Sequence, residues 1–203
     1  MKHTHYPVLL ALVLVILLSS CGSEARGNGR AAGAGDEVPQ YSFNVDPERI
    51  GEKYGDRELG LRLAPPEGWV QAPESLKEQV RSQVTENTDI TAEEMGLRTL
   101  FVDRSSGSAL IVYDPFERDD PGAVFGEWVG PDDETAEFRH NGLHFYQARR
   151  VTEAEVRFTL VVEAQDGVVT VLQYFMPQAH FKEIGRSVES SIGSIEPLED
   201  GEG

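Results

Sequence analysis

Cysteine is almost absent: Cys21 stands alone among 203 residues, so the chain can close no internal disulfide and assemble no cluster of thiolates around a metal. Long apolar runs are absent too. The stretch 8–18 is uncharged and apolar, but it falls short of the roughly 20 residues needed to span a bilayer. Basic residues are scarce, 18 against 35 acidic, for a formal charge of −17. That excludes nucleic acid as a partner, because its binding depends on neutralising phosphates with Lys and Arg, and it excludes direct docking on anionic lipid headgroups. No serine sits in a Gly-x-Ser-x-Gly elbow, and the glycines of residues 22–35 neither follow a strand nor open a helix, so they form no phosphate-binding loop.

What the first 21 residues do contain is an export signal: Lys2, the apolar run, then Leu18-Ser19-Ser20-Cys21. This ending resembles the lipobox of bacterial lipoproteins, in which small residues precede a cysteine that is acylated on sulfur and becomes the new N-terminus. The resemblance implies lipidation at Cys21, attachment to the membrane through a lipid anchor, and an extracytoplasmic location. With Gly22 rather than Asp after the cysteine, it points to the outer membrane, facing the periplasm, in a cell with two membranes. Each buried methylene contributes about 0.8 kcal/mol, so several acyl chains make such an anchor effectively permanent. Lys2 is the one charged residue of this segment, and the remainder carries 17 basic and 35 acidic residues, net −18. Residues 22–40 are Gly-, Ala- and Arg-rich with few large apolar side chains. They read as a flexible tether with a root-mean-square span of roughly 25 Å.

One folded domain is expected over 41–197, followed by an acidic tail, 198–203. Its organising stretch runs from 155 to 195. Val156, Phe158, Leu160 and Val162 alternate with Arg157, Thr159, Val161 and Glu163, the period-two pattern of a strand. Asp166-Gly167 then reads as a two-residue turn, which places Val162 opposite Val171 and Phe158 opposite Phe175, with Leu172 and Tyr174 on the face of Val161 and Thr159. Pro177 is expected to open a helix bearing Phe181, Ile184, Val188 and Ile192, terminated by Gly193 in a left-handed cap.

Upstream, Leu59, Leu61 and Leu63 lead into Pro65-Pro66-Glu67-Gly68-Trp69, a strand and turn that present Trp69 as a core plug. Ser75 with Glu78 reads as a capping box for a helix bearing Leu76, Val80 and Val84, ending near Glu86. Thr91 with Glu94 reads as a second box. Strands follow at 97–102 and 109–113, then Asp120-Pro121 as N-cap and first turn of a short helix with Val124, Phe125, Trp128 and Val129 on one side. Strands 135–140 and 143–151, joined by Asn141-Gly142, precede the 155 strand in an antiparallel meander.

Three groups invite a chemical reading. Residues 114–137 hold nine acidic side chains and one Arg, with Phe116, Phe125 and Trp128 interleaved. They suit a solvated loop, a docking face for a basic partner, or a cation site, although the spacing is not that of the helix-loop-helix calcium loop. The docking candidates are Asp119, Asp120, Trp128, Asp132 and Asp133. His140 and His144 bracket the Asn-Gly turn, but pairing His140 with Leu143 and His144 with Arg139 sends the two imidazoles to opposite faces, so they cannot share one metal. His180 reads as a surface residue. No catalytic residue, metal site or cofactor is assigned.

The order of elements resembles the Mog1/PsbP-like family. The residues that carry it are 63–69 (LAPPEGW, close to the family's P-x-GW), the Asp166-Gly167 hairpin, and 181–195 (FKEIGRSVESSIGSI), like the family's closing helix. The resemblance implies an α+β, α/β/α sandwich: a mainly antiparallel sheet of about six to seven strands covered by helices. It also implies a non-catalytic role in binding or stabilising another protein. The function expected is therefore that of a lipid-anchored accessory protein assisting an envelope protein complex, not an enzyme. The alternative is a small-ligand or divalent-cation-binding lipoprotein that uses a cleft between a helix layer and the sheet.

Overall fold

The computed structural model describes residues 38–87, 96–117, 120–164 and 167–198, with the side chains of 82–87 outside the description. Residues 1–37, which include Cys21 and most of the expected tether, the Thr91–Glu94 pair and nearly all of the acidic tail lie outside it. Eleven strands and three helices follow one another among the described residues: β1 (Tyr54–Asp56), β2 (Leu61–Leu63), β3 (Val70–Gln71), α1 (Glu74–Asn87), β4 (Leu97–Asp103), β5 (Ser108–Tyr113) and β6 (Phe116–Glu117), then α2 (Pro121–Trp128), β7 (Glu134–His140), β8 (Leu143–Val151), β9 (Glu155–Glu163), β10 (Val168–Pro177), α3 (Phe181–Gly193) and β11 (Glu196–Pro197). The main sheet is ordered β3-β4-β5-β10-β9-β8-β7, with β6 also paired to β10, and β1-β2-β11 form a second, three-stranded sheet. All pairings between these strands are antiparallel. This is the α+β, helix-covered antiparallel architecture expected, with the short strands β1, β3, β6 and β11 added to the longer ones that alternation reveals.

Each face of the sheet has its own core. On one, Phe158, Leu160, Leu172 and Tyr174 meet Val188 and Ile192 of α3, together with Leu61, Leu63 and Trp69. On the other, Ile111, Val161 and Val171 meet Val124, Leu76 and Val80 of α2 and α1, with Phe125 and Trp128. Trp69 is buried, 6.4 Å from the Tyr174 ring, placed by a turn in which Gly68 takes φ +80° and Trp69 N–H donates to Pro66 O.

The β9–β10 register differs from expectation by one residue. Val162 pairs with Thr170, Leu160 with Leu172 and Phe158 with Tyr174. Ala164 N–H donates to Val168 O, so the connection has three residues rather than two, with Gly167 at φ +75°. Gly in the left-handed position suits either loop length. A one-residue slip moves every side chain of β10 to the other face: Leu172, Tyr174 and Met176 join Phe158 and Leu160, leaving Val171, Gln173 and Phe175 with Val161 and Thr159. The second face thereby tolerates polar groups. Tyr113 Oη donates to Gln173 Oε1 (2.8 Å) and Gln173 Nε2 to Thr159 Oγ1 (3.1 Å).

Three element ends also differ. α1 begins at Glu74, with Leu76 and Lys77 N–H donating to Pro73 O, so Ser75 lies inside the first turn instead of capping it. Pro177 is the last residue of β10, opposite Glu155; a 3-10 turn, Gln178–His180, precedes α3. Gly193 is the last residue of α3, followed by Ser194 in ordinary right-handed conformation, and it is not among the residues of positive φ. Its role is steric, as described below.

Arg98 ties the small sheet to the large one. Its Nε donates to Asp56 Oδ2 at 2.6 Å and Nη2 to Oδ1 at 3.0 Å, and Tyr54 Oη donates to the same carboxylate. Burial works to raise the Asp56 carboxyl, but the Arg98, Tyr54 and Leu59 hydrogen bonds outweigh it and hold it below its usual value. Burial and the adjacent Asp56 push the Tyr54 hydroxyl up to about 12. An acid whose folded-state value is depressed contributes stability above its unfolded value, and that contribution is lost as pH falls through the folded one. Asp56→Asn is therefore expected to narrow the stability difference between pH 7 and pH 3 in urea titrations. An unchanged difference would show that the pair contributes nothing.

Candidate binding cleft

The site is built where α3 leaves part of the sheet uncovered. The chain enters the domain through a strap, residues 39–46, that crosses from the outer edge of β7 to α3. At the edge, Tyr41 N–H donates to Arg139 O (2.8 Å) and Arg139 N–H to Pro39 O (2.9 Å), so Gln40 pairs in parallel with Arg139. At the helix, Asp46 N–H donates to Ser190 Oγ. Between these points Phe43 lies over Gly193. A Cβ built on Gly193 would stand 2.4 Å from Phe43 Cβ and 2.9 Å from Val45 Cγ2, so glycine here permits close approach of the strap. His140 clips both together: its Nδ1 lies 3.1 Å from Tyr41 O and its Nε2 2.9 Å from Gly193 O.

Below the strap, between α3 and strands β7 to β9, opens a cavity of about 1030 Å3. Its floor is Phe138, Phe158 and Ile192, with Phe43 and Phe181 on its walls. Two pairs of the charged rim are joined, Arg149 with Glu134 (2.5 Å) and Arg49 with Asp46 (3.0 Å), and Arg186 and Glu189 also line the cavity. The aromatic floor suits an occupant with an apolar face. This is the cleft between helix layer and sheet named above as an alternative, although its lining residues were not foreseen. They come from the strap, three strands and one helix, and no local pattern connects them.

The candidate docking residues of the acidic stretch differ in their surroundings. Asp120 caps α2, accepting from Ala123 N–H at 3.0 Å. Trp128 is half-buried, its ring 5.1 Å from that of Tyr113. Asp133 has a side chain only 3% exposed: Arg150 grips its two oxygens at 2.6 and 3.0 Å and Gly130 N–H donates to it. A buried carboxylate needs a charged partner, and half-buried Arg150 supplies it. Asp132 is exposed, and Asp119 lies outside the described residues. His140 and His144 occupy opposite faces as the hairpin register requires; His144 lies between Glu137 (2.9 Å) and Glu163 (3.2 Å). At the opposite end of β9, Glu155 is buried with one carboxylate oxygen unbonded, and burial pushes its carboxyl up. Among the described residues no helix is long and apolar enough to cross a membrane, and no three His, Cys, Asp or Glu side chains converge as a metal site would require.

No family model and no curated protein matches the sequence. Among solved structures, the chain is similar to cyanobacterial PsbP (CyanoP) from Synechocystis sp. PCC 6803, at 13% identity and a TM-score of 0.46, over 84% of this chain and 98% of that one. It is similar to a protein of Bacteroides thetaiotaomicron VPI-5482 at 12% identity and 0.45, over 75% and 50%. A third likeness is LpqN, involved in cell envelope biogenesis of Mycobacterium tuberculosis, at 15% identity and 0.40, over 77% and 88%.

Proposed function

We propose that this protein is a lipid-anchored, non-catalytic binding protein of the cell envelope, held to the membrane at Cys21 and presenting its domain to an envelope protein partner. The observation that carries the reading is the cleft. It is large and open beside an exposed sheet edge, floored by Phe138, Phe158 and Ile192, and two of its three rim arginines, Arg149 and Arg49, already hold carboxylates. Such a surface supports contact with an apolar segment rather than chemistry on a substrate. The Leu18-Ser19-Ser20-Cys21 sequence supports the anchor, and the tether's roughly 25 Å span lets the domain sample the zone above the bilayer.

The test is photo-crosslinking in intact cells, with a benzophenone side chain placed in turn at Ala136, beside the cleft, and at exposed Asp132. A discrete protein adduct at position 136, weaker or absent at 132, is the expected result. An adduct at 132 alone moves the interface to the acidic loop. The cleft's volume also favours a small amphiphilic ligand as the second reading, and a small mass addition at 136 in place of a protein adduct would establish it. No adduct at either position would count against the protein-binding reading.

A further inference from the structure

β7 is the edge of the main sheet, and its first four residues are exposed. Which backbone groups face outward follows from Arg139, whose N–H and C=O both bond the strap. Because alternate residues of a strand direct these groups to the same side, the N–H and C=O of Thr135 and Glu137 also face outward, and among the described residues nothing pairs with them. The reason the strap stops lies in its own sequence. Continued in the same parallel register, it would bond Glu137 C=O from the N–H of residue 39, but residue 39 is proline and has no N–H. Among the described residues the pairing ends there, and the edge beside the cleft carries no partner strand.

We propose that this open edge, Thr135 to Glu137, takes an extended segment of the partner protein as an added strand, with its apolar side chains in the cleft. The proposal rests on the protein-binding reading above and specifies how the partner is held. A strand laid there alternates its side chains between two faces. One set meets Ala136, Phe138 and Phe158; the other meets the face of Glu137, whose carboxylate lies 2.9 Å from His144 Nε2. The complementary segment therefore alternates apolar and basic residues. A second copy of this chain is disfavoured as occupant, because edge-to-edge pairing would bring together two chains of charge −17 each.

The experiment uses the full chain purified from membranes in detergent and two synthetic heptapeptides, one alternating Val and Lys and one alternating Val and Glu. Binding is read by fluorescence anisotropy and by residue-resolved amide exchange. The Lys peptide is expected to bind and to slow exchange at Thr135 and Glu137 by about tenfold or more, while the Glu peptide does neither. Thr135→Pro removes one outward N–H, a change that edge strands tolerate, and should weaken the Lys peptide by about tenfold without lowering the melting temperature appreciably. The exchange data on the unsubstituted chain decide the matter even if that variant folds poorly. Absence of Lys-peptide binding, protection elsewhere, or protection that instead rises with protein concentration as a dimer forms would each overturn the proposal. A partner crosslinked at Ala136 equally well in Thr135→Pro would overturn the added strand while leaving the protein-binding reading intact.

Discussion

Tyr174→Ala is expected to lower the stability of the domain by about 3–5 kcal/mol, the range for truncating a large buried aromatic. Tyr174 is fully buried, and its ring lies in the core beneath α3, beside Trp69. Its hydroxyl also begins a chain of hydrogen bonds. Ser191 Oγ donates to Ala64 O at 2.6 Å, so the Tyr174 hydroxyl, 2.9 Å away, donates to Ser191. Ser194 Oγ accepts from Ala64 N–H at 2.8 Å and donates to Ser191 O at 2.7 Å. Ser191 of α3 and Ser194 just beyond it thus fasten the helix to the end of β2 and to the middle of β10. Tyr174→Phe keeps the ring and loses one bond, and is expected to cost about 1 kcal/mol. Urea midpoints at unchanged m-value measure both, with Trp69 fluorescence as probe. A Tyr174→Ala loss no greater than that of Tyr174→Phe would show that the ring's packing contributes little.

The second large effect is at Gly193. Gly193→Ala puts a methyl 2.4 Å from Phe43 Cβ, and overpacking of this kind costs about 1–3 kcal/mol. The strap is the softer partner: it is held by Tyr41 and Pro39 at Arg139, His140 at Tyr41 O, and Asp46 at Ser190, while α3 is embedded in the core. The strap should therefore lift, exposing residues 39–46 to protease and removing one wall of the cleft. Phe43→Ala in the same chain should restore much of the loss, a non-additive pair in a double-mutant cycle. Additive losses would mean that α3 moves instead.

Much of this structure was readable from neighbouring residues. Asn141-Gly142 admits one compact hairpin, and Asn141 at φ 49° with Gly142 at φ 80° delivers it, sending His140 and His144 to opposite faces. Asp120-Pro121 capped a helix as its residue types demand. Where one sequence feature fits two local structures, the reading went astray. Asp166-Gly167 suits a two- or a three-residue connection, and only the packing of Leu172 and Tyr174 against Phe158 and Leu160 selects the longer one. Gly193 near a helix end suggests a left-handed cap, but the residue that needs it, Phe43, lies 150 positions away in the sequence. Asp133 among other acids reads as solvated, because Arg150, which pairs with it, lies 17 positions away on β8.

The sequence by itself determined the acidic character, the single cysteine after Leu18-Ser19-Ser20, the strand alternation and the apolar stripe of α3, since each depends on composition or on residues a few positions apart. The register of β10, the strap clipped by His140 and the cleft beneath it were decided by tertiary structure alone. Each depends on which distant surfaces exclude water together, and that is settled by the fit of side chains across the whole domain rather than by any local preference.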